Sequence, residues 1–227
     1  MARLEKSVIG NFRGRLGQLS ARIRHGRTIL SARPSSFNVS NLPEQINIRK
    51  RFGVAIQLAK VINNNPDLQK IWRDTSPEGL TPFNFIIKVN FEYAQTDRPT
   101  DKNVLTPGGF SFNVTSAVTG TDDITVELPA LNIYKNFSTD EKDLTVYIAL
   151  IPFEPADAQY DFFKIIFLKH TEVNYDPASA LNFTVNLSAS EKNLLTNYNQ
   201  KLLLLCLATK GVDSKIIMYS GTYGKMN

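Results

Sequence analysis

Gly109-Phe-Ser-Phe-Asn-Val-Thr-Ser-Ala-Val118, followed after Thr119-Gly-Thr121 by Asp123-Ile-Thr-Val-Glu-Leu128, is where the pattern of this chain changes. Phe110, Phe112 and Val114 alternate with Ser111 and Asn113, the period of two of a strand with one apolar face. Seven segments read as strands from about Leu105 onward: Gly109–Val118, Asp123–Leu128, Leu144–Phe153, Phe162–His170, Leu181–Leu187, Lys201–Thr209 and Lys215–Ser220. Turn residues separate them, for example Asn174 to Pro177 and Lys210-Gly211. Strands this short, punctuated this regularly, lead us to expect an immunoglobulin-like antiparallel β-sandwich over residues 105–227. Between the fifth and sixth strands, Ser190–Tyr198 reads as one helical turn. Ser188 or Ser190 caps it, Leu194 and Leu195 lie under the sheet, and Tyr198 stands where such sandwiches carry a tyrosine corner.

Upstream the periodicity is mixed. In Leu19–Ala32, Leu19, Ala21 and Ile23 alternate with Ser20, Arg22 and Arg24, and His25-Gly26 supplies a two-residue turn. This predicts a β-hairpin that sets Arg24 opposite Arg27 and Arg22 opposite Ile29. One face then carries Arg22, Arg24 and Arg27, and the other Leu19, Ala21, Ile23, Thr28 and Leu30. A lone hairpin is marginal in water, so that apolar face needs a surface to pack on. A helix follows, capped by Ser40 or Asn41, with Pro43 in its first turn and Asn63-Asn-Asn-Pro66 at its end. Ile48, Phe52, Ala55, Ala59 and Ile62 make its apolar stripe. A short helical piece spans Asp67–Trp72. A nearly all-apolar, and so largely buried, helix runs over Phe83–Ala94 with Thr81 as cap. The polar stretch Gln95–Thr106, with Pro99, reads as a linker or a long loop. The expected class is therefore α+β, with a basic arm, hairpin and helical module over 1–98 ahead of the sandwich.

Charge divides the chain differently. Residues 1–51 hold eleven Lys/Arg and two acids, a net +9, whereas the remaining residues hold fifteen basic and nineteen acidic groups, a net −4. Local charge selects partners more than the mean does. Arg13, Arg15, Arg22, Arg24 and Arg27 fall together with no acid among them. Guanidinium groups at that density suit phosphate oxygens or the carboxylates of a neighbouring subunit. Phe12 is the one aromatic before Phe37, so the segment is poor in residues on which bases could stack. Gly10, Gly14 and Gly17 lack the preceding strand and following helix of a phosphate-cradling loop. With Phe12 they read as an arm whose glycines serve close backbone approach or unusual φ.

Catalytic and metal signatures are sparse. The two histidines, His25 and His170, have no partners at metal-ligand spacing. Asp122-Asp123 and Asp140-Glu141 sit in turns, where solvated acids are usual. Cys206, the one cysteine, lies within Leu202–Ala208, the longest apolar run, and reads as a buried inert thiol. A Cys206–His170 dyad is the one conceivable catalytic pair. That apolar run is far shorter than the ~20 residues of a membrane helix, and the N-terminus shows no apolar secretory core. The expectation is a chain with no cofactor, no metal, no membrane span and no small-molecule substrate, cytoplasmic or associated with a particle.

The order Gly-x-Phe-x-Gly-x-x-Gly (Gly10–Gly17), a hairpin with x-Gly at its turn, Ala32-Arg-Pro34, Arg49-Lys-Arg-Phe52, Thr81-x-Phe-Asn84 and a β-rich second half resembles a domain-of-unknown-function family widespread in Bacteroidota. The family usually has Lys where this chain has Arg15, and a tryptophan near Arg24 or His25. The resemblance implies bacterial or bacterial-virus origin and this order of elements, and it brings no activity with it. Together these readings point to a non-enzymatic structural or assembly protein that self-associates through the basic arm and hairpin, in the manner of virion or filament subunits. A nucleic-acid-binding protein using the arginine face and an adhesin-like ligand-binding module are the alternatives.

Overall fold

A computed structural model of the chain describes residues 2–3, 13–24, 26–34, 36 and 41–226. It divides into two units, Met1–Leu42 and Pro43–Asn227.

The first unit is an antiparallel sheet of β1 (Ala2–Arg3), β2 (Gly14–Leu16), β3 (Leu19–Arg24) and β4 (Arg27–Ala32), in the order β1-β4-β3-β2. The β3–β4 hairpin has the register that its alternation predicts, Arg24 opposite Arg27 and Arg22 opposite Ile29. The glycine-spaced segment contributes a strand of its own. Gly14, Arg15 and Leu16 pair with Ala21, Ser20 and Leu19. Gly17 and Gly26 sit in the two tight turns at φ of 56° and 72°, a left-handed region that glycine adopts at little cost.

The second unit begins with α1 (Pro43–Asn64), α2 (Pro66–Thr75) and α3 (Pro82–Phe91). Asn65 caps α2 by accepting from the backbone N–H groups of Asp67 and Leu68 at 3.0 and 3.1 Å. Thr81 caps α3, accepting from Asn84 N–H at 3.3 Å. Seven strands follow: β5 (Ser116–Thr119), β6 (Asp123–Leu128), β7 (Asp143–Pro155), β8 (Ile166–Glu172), β9 (Leu181–Asn186), β10 (Tyr198–Lys210) and β11 (Ile216–Met226). A 3-10 turn, Leu131–Ile133, follows β6. The helix α4 (Ala189–Leu195) precedes β10 and is closed by a capping box between Ser188 and Glu191. The strands form two antiparallel sheets, β11-β10-β7-β8 and β5-β6-β9. The class is α+β.

The continuous apolar run in β10 has a simple cause. Leu202, Leu204, Cys206 and Ala208 join Tyr147, Ala149 and Ile151 of β7 in one core with α1–α3. Leu203, Leu205 and Leu207 join Val146, Ile148 and Leu150 in a second core against β6 and β9. A strand covered on both faces needs no polar alternation. The larger unit is thus three layers: helices, the four-stranded sheet and the three-stranded sheet.

This layering moves the domain boundary. The helices share a core with β7 and β10, so the break lies at Leu42 and not at residues 98–105. Residues 95–106 are bound tightly to the fold instead of linking two domains. Trp72 Nε1 donates to Leu105 O at 2.8 Å, and Leu105 N–H donates to Thr222 Oγ1 at 2.7 Å. Buried Asn90 and Asn103 bridge α3 to the same segment. The first expected strand shrinks to Ser116–Thr119 for a related reason. Phe110 instead runs beside β11, donating its N–H to Tyr219 O and accepting from Gly221 N–H. At Gly109 a Cβ would lie 2.3 Å from Tyr219 O, so only glycine permits this approach, which covers part of an otherwise open strand edge. Phe110, Phe112 and Val114 still pack on the inter-sheet core.

Two smaller expectations are corrected. The buried stripe of α1 is Val54, Ala55, Leu58, Ala59 and Ile62, while Ile48 and Phe52 are each 47% exposed. The core that the helices share with the sheet begins only at Val54. Tyr198 forms no tyrosine corner. Its hydroxyl donates to Asp161 O, 37 residues upstream in the β7–β8 connection, and not to backbone a few residues away.

Candidate functional site

The N-terminal sheet has two chemically distinct faces. Ala21 and Thr28 lie on one face and are buried, with Leu30 half-buried beside them. Leu16, Leu19 and Ile23 share that face and remain 64%, 38% and 45% exposed. The register places Ser20, Arg22 and Arg24 of β3, Arg27, Ile29 and Ser31 of β4, and Arg15 of β2 on the other face. All four of these arginines are exposed, and so is Arg13 just before β2. Ser20 and Ser31 hydroxyls pair across the strands at 2.9 Å beneath them.

Neighbouring strands lie ~4.8 Å apart and alternate residues ~6.8 Å apart, so the guanidinium groups start from closely spaced positions. Arg24 and Arg27 are direct cross-strand partners. Like charges so placed destabilise a sheet by ~0.2–1 kcal/mol. Residues 6–43 contain no Asp or Glu. The structure therefore brings Arg15, Arg22, Arg24 and Arg27 onto one surface and leaves Arg13 at its margin. Gly14 and Gly17 serve φ, at 131° and 56°. Among the described residues, a Cβ on either would meet nothing within 4 Å. Gly10 and Phe12 fall outside the described residues, as does His25.

Not all of the N-terminal positive charge is of this kind. Arg51 closes the C-terminal end of α3: its Nε donates to Ala94 O at 2.8 Å, and Nη2 to Phe91 O and Glu92 O at 2.9 and 3.0 Å. Its guanidinium also lies 4.8 Å from the Phe91 ring centre. One cation thus satisfies carbonyls at and just beyond the end of the helix. Next to it, Ile48, Phe52, Ile87 and Phe91 line an open groove of about 490 Å³, rimmed by Asn84, Lys88 and Glu92.

The larger unit holds one polar cluster that no spacing in the sequence announced. Asp67, at the start of α2, accepts from Lys210 Nζ at 2.6 Å and from the Tyr147 hydroxyl, with Lys169 Nζ at 3.6 Å. Partial burial opposes ionisation of Asp67, but the Lys210 and Tyr147 hydrogen bonds and the two lysine charges outweigh it and hold the carboxyl below its ordinary value. Burial and the adjacent carboxylate push the Tyr147 phenol well up, so it is a fixed donor and not a base. The cluster ties helix to sheet. Glu141 does similar work, bonded to Lys135 and the Thr209 hydroxyl.

The Cys206–His170 pair is ruled out by register. Cys206 pairs with Tyr147 and belongs to the helical core, whereas His170 pairs with Val146, which belongs to the other core. The two side chains are on opposite faces, with β7 between their strands. Burial pushes the Cys206 thiol up, and the His170 ring stacks on Phe183 at 4.2 Å. Asp122 pairs with Lys192 at 2.8 Å. Among the described residues, no group of three or more His, Cys, Asp or Glu is placed to hold a metal ion, and no helix is long and apolar enough to cross a membrane.

No family model matches the chain, and no curated protein does. Among solved structures, a β-glucosidase from Kluyveromyces marxianus in complex with glucose aligns over 54% of this chain and 14% of its own at 7% identity, with a TM-score of 0.22. A selenomethionine-labelled form aligns over 60% and 16% at 9% identity, with a TM-score of 0.21. This chain therefore spans about a seventh of those proteins, and similarity at that level carries no argument about fold or activity.

Proposed function

We propose that this chain is a non-enzymatic assembly subunit that self-associates through its N-terminal sheet, with an immunoglobulin-like sandwich as its body. The observation that carries the reading is the row Leu16, Leu19 and Ile23, exposed along one face of that sheet. An apolar sheet face needs a second layer. Covering these three half-exposed side chains is worth on the order of 3 kcal/mol per subunit. The Ile48–Phe52–Ile87–Phe91 groove offers a surface of matching chemistry on the other unit. A ridge on one copy seated in a groove on the next is a heterologous contact, which closes into rings or extends into filaments. The proposal for the body rests on strand order. With the seven strands lettered A to G, A-B-E faces D-C-F-G, an immunoglobulin-like plan with the fourth strand moved beside the third.

Multi-angle light scattering of the full chain across a concentration series tests the reading. Oligomers are expected, and Ile23→Asp or Phe52→Asp is expected to shift them to monomer while far-UV circular dichroism stays unchanged. A native chain that is monomeric at the highest soluble concentration refutes it.

A further inference from the structure

We propose that β8 is a self-pairing edge, through which two copies of the chain join antiparallel about a two-fold axis at Leu168. β8 ends the four-stranded sheet, with β7 as its strand neighbour. Lys164 N–H donates to Pro152 O at 3.1 Å, and the Phe153–Phe163 bridge keeps the register that runs from Leu150–Ile166 to Leu144–Glu172. Hydrogen-bonded and non-hydrogen-bonded pairs alternate along an antiparallel ladder. The backbone groups of Ile166, Leu168, His170 and Glu172 are therefore committed to β7, and those of Ile165, Phe167, Lys169 and Thr171 point away from the sheet. Among the described residues, these outward groups have no hydrogen-bond partner. Such a row of N–H and C=O groups is a template for another strand.

The sequence of β8 fits a second copy of itself. With Leu168 on the axis, Lys164 lies opposite Glu172 of the second copy, Ile166 opposite its His170, and Phe167 opposite its Lys169. This register uses every outward group from Ile165 to Thr171, about eight backbone hydrogen bonds in all. It also sets opposite charges together at both ends, and it lays each Lys169 stem beside a Phe167 ring. Moving the axis to Phe167 puts Lys164 against His170, and moving it to Lys169 puts that lysine against its own copy. Lysine on an edge guards against indiscriminate pairing, and here it narrows the choice to the Leu168 axis. Ile165 and Phe167 also line, with Val61 and Pro66, a groove of about 330 Å³ beside the edge, which Thr171 and Lys169 of the second copy would cover. The contact joins two four-stranded sheets into one. Being isologous, it closes at a dimer, and it does not rest on the N-terminal sheet.

Cysteine on the axis tests the register. The pair facing across it is of the non-hydrogen-bonded kind, with Cα atoms ~4.5 Å apart, within the range of a disulfide. In the full chain, Leu168→Cys should therefore form a disulfide-linked dimer on mild oxidation, read by non-reducing electrophoresis. Thr171→Cys should not, because its two copies lie about six residues apart along the ladder, roughly 20 Å. Cys206 is buried and stays out of the reaction. A Leu168→Cys chain with native far-UV circular dichroism that stays unlinked overturns the proposal, as does equal linking of Thr171→Cys, the mark of random collision. Sedimentation equilibrium gives a readout without new cysteines. Lys164→Glu and Glu172→Lys should each raise the dimer dissociation constant about tenfold, since each sets like charges opposite one another twice. The double variant K164E/E172K should restore it. Within one chain Lys164 pairs with Asp161, and Glu172 lies 3.4 Å from His170. The double variant repairs neither contact, so its recovery reports pairing between copies, and failure to recover overturns the register. The Ile23→Asp chain should give the same dimer, which separates this contact from association through the N-terminal sheet. Loss of the dimer in that background overturns the proposal.

Discussion

Replacing Asn90 by leucine isolates the device that binds residues 100–106 to the helices. Asn90 is fully buried in α3. Its Oδ1 accepts from Val104 N–H at 2.8 Å and Asn103 Nδ2 at 2.9 Å, and its Nδ2 donates to Val104 O at 3.1 Å. Leucine fills a similar volume but leaves the Val104 N–H and C=O without these partners. Asn103 keeps the Asn90 backbone carbonyl at 2.9 Å. An orphaned buried group costs ~1–3 kcal/mol. With two groups orphaned, and Val104 only half-buried, the expected loss is about 2–4 kcal/mol. For a unit of this size that corresponds to roughly 6–12 °C in Tm. The single tryptophan, Trp72, is buried and donates to Leu105 O, so its fluorescence during urea unfolding reports this region. The Val104 amide should lose hydrogen-exchange protection in parallel. Asn103→Ala combined with Asn90→Leu should cost less than the two changes summed, because the side chains are partners. A loss below about 1 kcal/mol with an unchanged m-value would refute the reasoning, since it would mean that Val104 is satisfied without Asn90.

Other outcomes follow from the same structure. Arg51→Met keeps the aliphatic stem but removes three hydrogen bonds at the end of α3, and should cost about 1–2 kcal/mol in urea unfolding; Arg51→Lys should rescue little of it, having no planar fork. Asp67 and Glu141 are held below their ordinary 3.8 and 4.5 in the folded chain, so near those values the unfolded chain binds more protons. Their contribution is therefore complete above about pH 5 and is lost as pH falls through the depressed folded values; Asp67→Asn should flatten this acid limb in a pH series of urea midpoints, and an unaltered limb would count against the cluster. Cys206 should resist iodoacetamide in the native chain and react fully in urea, whereas stoichiometric native labelling would contradict its burial.

Local chemistry was legible in the residues. Alternation and a glycine turn define the β3–β4 hairpin down to its register. Thr81 and Ser188 mark helix starts because capping is a contact within one turn. The seven strands and the arginine cluster were visible for the same reason, since a period of two or a run of like charge needs no knowledge of what lies opposite. Tertiary packing decided the rest. Ile48 and Phe52 match the stripe of α1 in spacing, yet stay exposed because the core shared with the sheet begins at Val54. Gln95–Thr106 reads as a linker because its polar residues are indistinguishable in sequence from solvated ones; Asn90 and Asn103 become structural only once each meets the other. The Asp67–Tyr147–Lys210 cluster joins positions up to 143 apart, beyond any local pattern. Periodicity thus determined the elements and the arginine-bearing face, whereas the domain boundary and the polar ties depended on long-range partners that only the folded chain brings within hydrogen-bonding distance.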